Sequence, residues 1–308
     1  MPNQFLLGKM GSYKGLFTML KKTVLILASL GLSLISLSSC ASPTYKVYDT
    51  QSSKIYTFID ALPLLPREGF IILGETHYDL LIQNAEALLI RELTIHNNLI
   101  GDIAVSWEFL NYPSQEKLNQ QMAQLSQGQL SNKEVVTNLF NGQPGKNLLY
   151  APIFQVAADL NAPFVATNAP RSWKQKIVKG GITALSSDLV PAIYQRGSDE
   201  YYDRFIQAMG GHVPGNIENY FLAQSYTDAV MAESLSNAPD KSLNFMIVGH
   251  FHSDFGHGLQ SYLLRMTNKD IVHIRILNRT LMSENEKELV LKPHPKYGHS
   301  SRFIFLID

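Results

Sequence analysis

Phe70-Ile71-Ile72-Leu73-Gly74-Glu75-Thr76-His77 is an apolar run, a glycine and then polar side chains of catalytic or ligand type. An unbroken apolar run suits a strand covered on both faces, as in a parallel sheet. Five further short, strongly apolar runs follow: Ile103–Trp107, Phe164–Thr167, Phe245–Val248, Ile271–Leu277, which His273 and Arg275 interrupt, and Phe303–Ile307. Between them apolar residues recur at helical spacing, over Leu80–His96, Val135–Phe140, Leu148–Leu160 and Glu218–Leu235. This alternation predicts an α/β fold: a mostly parallel sheet flanked by helices, with a helical cap or side subdomain. Pro113–Gly145 and Lys174–Gly215 supply helical or loop segments for that cap, and the main insertion is expected over roughly residues 174–235.

Four of the runs end in polar residues. The first ends in Gly74-Glu75-Thr76-His77, the second in Trp107-Glu108, the third in Thr167-Asn168-Ala169-Pro170-Arg171, and the fourth in Gly249-His250-Phe251-His252-Ser253-Asp254. Ligands of open parallel sheets bind outside the carboxyl ends of the strands. The sequence therefore predicts one crevice holding Glu75, His77, Glu108, Asn168, Arg171, His250 and His252, with Asp254 as a further candidate. The Gly-x-x-His turn occurs twice, at Gly74–His77 and Gly249–His252; glycine lets the backbone turn and approach closely. In an extended segment His250 and His252 point the same way. Two imidazoles and two carboxylates suit a divalent metal, with one carboxylate free to act as general base. The plainer reading is a set of buried, hydrogen-bonded histidines, with Glu108 paired to Arg171.

The N-terminal segment sets the compartment. Met19-Leu20-Lys21-Lys22, an apolar run from Thr23 to Leu37, and Leu37-Ser38-Ser39-Cys40 form an export signal ending in a lipobox-like motif, with Met19 a candidate initiator. Cys40 is the only cysteine of the 308 residues, so no intrachain disulfide forms. Lipid on Cys40 would anchor the mature protein in a membrane, and Ala41 in place of Asp favours the outer membrane. Residues 1–39 are expected to be removed, 40–54 to form a lipidated tether, and 55–308 to form the domain. The leader carries four lysines and no acid, so the remainder has 22 basic and 26 acidic residues, about −4 net. With no basic run, nucleic-acid binding is not expected.

One ordered series carries a resemblance: Gly74-Glu75-Thr76-His77, Trp107-Glu108-Phe109, Tyr150-Ala151-Pro152-Ile153, Ala166 to Arg171, Ala223-Gln224 through Asp228 with Met231-Ala232, and Gly249-His250-Phe251-His252. It resembles the ChaN-like haem-binding uptake lipoproteins of the Tiki superfamily over roughly residues 68–265. The resemblance implies an α/β domain, haem as ligand, a role in iron uptake and a homodimer bridged by haem. It also implies kinship with Tiki-type metalloproteases and erythromycin-esterase-like hydrolases. By that kinship Glu75 and Glu108 fall at catalytic positions, His77 and His252, with His250 beside them, at metal positions, and Asn168 and Arg171 in support.

Haem asks for an apolar slot, an axial ligand and cations for its propionates. Tyr150 matches the family's Tyr-x-Pro segment and is the first candidate axial ligand, with Tyr78 and Tyr226 as further ones. Arg171 or Arg204 would face a propionate. The alternative is a metal-dependent hydrolase, of protease or esterase type, working in the Gly-x-x-His/Glu crevice.

Overall fold

The computed structural model describes residues 43–210 and 215–308. Cys40, the export signal and the centre of the Gly210–Gly215 loop lie outside them.

The described residues form eight strands: β1 (Tyr45–Asp49), β2 (Lys54–Thr57), β3 (Gly69–Glu75), β4 (Ile103–Asn111), β5 (Phe164–Asn168), β6 (Leu243–Gly249), β7 (Ile271–Asn278) and β8 (Phe303–Ile307). They make one sheet in the order β2-β1-β8-β7-β3-β6-β4-β5. β3, β4, β5, β6, β7 and β8 run parallel, while β1 is antiparallel to both its neighbours. All six expected strands form.

The helices are α1 (Phe58–Ala61), α2 (Leu80–His96), α3 (Gln115–Ser126), α4 (Asn132–Leu139), α5 (Ala151–Asp159), α6 (Arg171–Gly180), α7 (Asp199–Ala208), α8 (Ile217–Ser236), α9 (Leu259–Leu263) and α10 (Glu284–Leu289). Successive strand residues face opposite sides of a sheet, and here both sides are buried. On one side Ile71, Leu73, Val105, Trp107, Phe245 and Ile247 pack with α2, α3, α4 and α5. On the other, Phe70, Ile72, Met246 and Val248 pack with Ala229, Met231, Ala232 and Leu235 of α8 and with α9. This two-sided burial is why the strands read as continuous apolar runs.

Two boundaries differ from expectation. Residues 45–54 are not a tether: β1 lies inside the sheet between β2 and β8, with Val47, Tyr48 and Asp49 buried. The five-residue Tyr-Lys-Val-Tyr-Asp segment carries too little apolar character to announce a strand; its pairing with β8 stabilises it. The insertion also ends earlier than residue 235, because α8 covers the sheet itself. Only α6, α7 and their loops form the side layer, through Ile177 and Leu185 against Tyr226, and Tyr201 and Phe205 against Phe221. No helix among the described residues is long and apolar enough to cross a membrane.

Candidate functional site

β3, β6 and β4 are neighbours at the sheet centre. Their parallel register brings Glu75 level with Gly249. The loops after these strands place Glu75, His77, Glu108 and His252 in one cluster. The His77 ring fits only because residue 249 is glycine: a Cβ there would lie 2.6 Å from His77 Nε2. Gly74 makes a similar concession elsewhere, since a Cβ there would lie 2.5 Å from Nε2 of the buried His273.

Each imidazole of the cluster bridges carboxylates. His77 Nδ1 lies 2.8 Å from Glu75 Oε1, and its Nε2 3.9 Å from Glu108 Oε2. His252 Nδ1 lies 2.6 Å from Asp228 Oδ1, and its Nε2 3.4 Å from Glu108 Oε1. Glu108 Oε2 accepts the Gly249 N–H at 2.6 Å. Glu75 accepts hydrogen bonds from Tyr150 Oη and Gln83 Nε2. Tyr201 Oη donates to Asp228 at 2.9 Å and accepts from Gln224 Nε2 at 2.9 Å.

These contacts set the charges. Burial alone would lower His252, but the charges of Asp228 and Glu108 outweigh it and lift its pKa to about 10. Burial alone would raise Glu108, but His252 and His77 with the Gly249 N–H bring it down to about 2. Burial lowers His77 while its hydrogen bond to Glu75 and the charge of Glu108 raise it, and the rise wins. Asp228 lies above its ordinary value, because burial outweighs what His252 returns. At neutral pH His252 is therefore an imidazolium, both of whose nitrogens are donors.

Among the described residues no three His, Cys, Asp or Glu side chains are placed to hold an ion. The divalent-metal expectation finds no support in this geometry. His250 leaves the cluster altogether. A 3-10 turn over His250–His252, rather than an extended segment, sends the two rings apart. His250 Nδ1 pairs with Asp254 at 2.8 Å instead.

The remaining expectations divide. Asn168 supports the cluster through its Nδ2, which donates to the Glu108 carbonyl at 2.8 Å. Arg171 is exposed at the start of α6 and does not pair with Glu108. Lys174, one turn further on, borders a cavity of about 360 Å³ with Glu108, Phe205, Gln224 and His252. Arg204 is buried and donates to the Asp254 carbonyl at 2.8 Å, so it faces no ligand surface. Tyr226 is buried with its Oη on the Leu189 carbonyl at 3.0 Å. Asp228, the buried partner of His252, stands in the sequence only as the end of the Ala223–Asp228 motif with no role assigned, although a carboxylate buried in α8 demands a partner.

Tyr150 and Tyr78 part company. Tyr150 is 0% exposed; burial and the adjacent Glu75 raise its pKa far above the ordinary tyrosine range. Tyr78 is 38% exposed. Its backbone is left-handed at φ 64°, a conformation uncommon for a bulky residue and associated with functional sites. Its ring lies parallel to Phe109 with centroids 5.7 Å apart, and Lys146 Nζ lies 5.8 Å from the ring centroid.

The fold and cluster define a class: a parallel-sheet α/β domain with two Gly-x-x-His turns converging on shared carboxylates at the strand ends. The model of the haem-binding uptake proteins, ChaN, of the Tiki superfamily matches residues 62–263, and the chain belongs to this family. Among solved structures it resembles that of cofacial haem binding to ChaN of Campylobacter jejuni, at TM-score 0.62 and 15% identity, over 86% of this chain and 97% of that one. The type III effector HopBA1 aligns at TM-score 0.39 and 9% identity, over 77% of this chain and 86% of that one. No protein of curated function matches the sequence at a significant level.

Proposed function

We propose that this chain is a haem-binding uptake lipoprotein, anchored at the outer membrane through Cys40, that receives haem on the Tyr78–Phe109 face. Family membership supports haem as the ligand class. The observation that carries the site is the presentation of Tyr78: a phenol at the crevice mouth, held by an aromatic stack and within reach of solvent. Ferric haem supplies a Lewis-acidic iron with an affinity for phenolate oxygen, as in catalase-type ligation. Tyr78 would offer the oxygen, Phe109 the flat apolar contact and Lys146 a cation for a propionate. Partial burial, with the negative charges of Glu108 and Glu75 added to it, raises the Tyr78 pKa and keeps its proton on in the free protein. His77, whose ring centroid lies 4.7 Å from that of Phe109, connects this face to the buried cluster. An open platform covers one face of a porphyrin, so a second copy closing over the other face is part of the proposal.

The test is a hemin titration followed by its Soret band. Tyr78→Phe is expected to weaken binding and change the ferric spectrum, while Tyr150→Phe leaves the spectrum intact. The opposite pattern, with Tyr150 decisive and Tyr78 silent, overturns the assignment.

A further inference from the structure

The sheet topology puts the start of the described chain on the same edge as the site. β1 is antiparallel to β8, with Tyr45 opposite Ile307, so Tyr45 lies at the carboxyl edge of the parallel strands. Thr44 and Asp308 exchange both backbone hydrogen bonds at 2.9 Å, which fixes the chain to that edge from Thr44 onward. Cys40 precedes Thr44 by four residues, an extended reach of about 14 Å at most.

From this point an apolar band runs along the edge toward the haem face. Ile59, just past Thr57 at the end of β2, is 63% exposed; Leu281, past the end of β7, is 96% exposed; Leu80, past β3, is 50% exposed. Polar contacts tie the segments together. Lys46 Nζ reaches Asp308 at 3.2 Å and Arg279 pairs with the same carboxylate at 2.9 Å. Asn278 Nδ2 donates to Asp79 at 2.8 Å, which joins the Leu281 loop to the Tyr78–Leu80 loop. The strands involved, β2, β1, β8, β7 and β3, are consecutive in the sheet and span about 19 Å at the usual spacing.

We propose that this band is a membrane-contact face: the domain rests on the lipid surface by Ile59, Leu281 and Leu80, and the haem platform opens at the bilayer boundary. The occupant is a phospholipid bilayer because the anchor would emerge here on a short leash. A lipid on Cys40 keeps this edge within about 14 Å of the headgroups, and three exposed aliphatic side chains are stabilised by even partial burial there. The proposal rests on lipidation of Cys40.

The native sequence has no cysteine but Cys40, so acylation leaves one free thiol in a single-cysteine variant. Leu281→Cys and Leu264→Cys, made in the full-length chain, carry a fluorescent label at either edge; Leu264 is 57% exposed and precedes β7 at the opposite edge. The purified lipoprotein is placed in phosphatidylethanolamine–phosphatidylglycerol vesicles containing brominated lipid. Quenching at 281 and none at 264 is the expected result. Equal quenching, or quenching at neither position, overturns the face even with the anchor intact. Energy transfer between labels at 281 on two copies, without lipid quenching, overturns it in favour of a second copy. A mass spectrum showing an unmodified Cys40 removes the anchor and this proposal with it.

Discussion

Replacing Asp228 by Asn removes one of the two carboxylates on His252 while keeping an oxygen to accept its Nδ1 proton. His252 stands at about 10, against an ordinary 6.5. At about 1.4 kcal/mol for each pH unit that difference corresponds to roughly 5 kcal/mol, shared between Asp228 and Glu108. Asp228 gives part of its share back, because burying its own carboxylate costs more than His252 returns. The expected net loss is therefore about 2 kcal/mol at pH 7, below the range for stripping a wholly buried pair. The pH dependence is the sharper signature. A histidine raised in the folded state contributes fully below about pH 6.5, and its contribution fades as pH rises toward 10. Urea unfolding of the parent should thus show stability falling by up to about 1.4 kcal/mol per pH unit across that window, and Asp228→Asn should flatten the fall. Glu108 acts on the acid side: lowered to about 2, it contributes above pH 4.5 and is lost as pH drops through 2, and this limb should persist in the variant. Equal stability at pH 7 with an unchanged alkaline slope would refute the paired-imidazolium account.

Three further outcomes follow from the same geometry. Gly249→Ala puts a methyl 2.6 Å from His77 Nε2; a loss of about 1–3 kcal/mol is expected in thermal or urea unfolding, with weakened hemin binding as the His77 and Phe109 rings shift. Tyr150→Phe removes a buried donor to Glu75 and should cost about 1–3 kcal/mol of stability while sparing the hemin spectrum, the reverse of Tyr78→Phe. Gln115 caps the free edge of β5, donating to the Phe164 carbonyl and accepting the Ala166 N–H, both at 2.8 Å. Gln115→Ala should bare that edge and increase self-association in analytical ultracentrifugation, for about 1 kcal/mol or less in monomer stability.

The central sheet was legible because strands buried on both faces leave unbroken apolar runs, and Phe70–Leu73 and Phe245–Val248 are such runs. The same runs pointed to the site, since whatever follows them must lie at one edge. What failed was local. His250 and His252 separate because three residues of 3-10 helix replace an extended segment, a difference that residue identity alone does not specify. β1 escaped notice because its stability comes from pairing with residues 303–307 at the far end of the chain. Tyr150 was favoured by motif, yet exposure decides which phenol can meet a ligand, and exposure is a tertiary property. Asp228 was hidden in plain view, since helical periodicity treats a lone acid as an interruption rather than as half of a pair.

The position of β6 has a consequence for assembly. β3 and β4 are made early, but they are not neighbours; the slot between them waits for residues 243–249. Until that strand arrives, Glu75 and Glu108 belong to segments with no shared partner and Gly249 cannot receive the His77 ring. Such long-range closure makes folding slow and late. The Tyr78 loop after β3 and Phe109 of β4 likewise gain a common neighbour only when β6 fills the slot, so the face they share is completed only once most of the polypeptide is available.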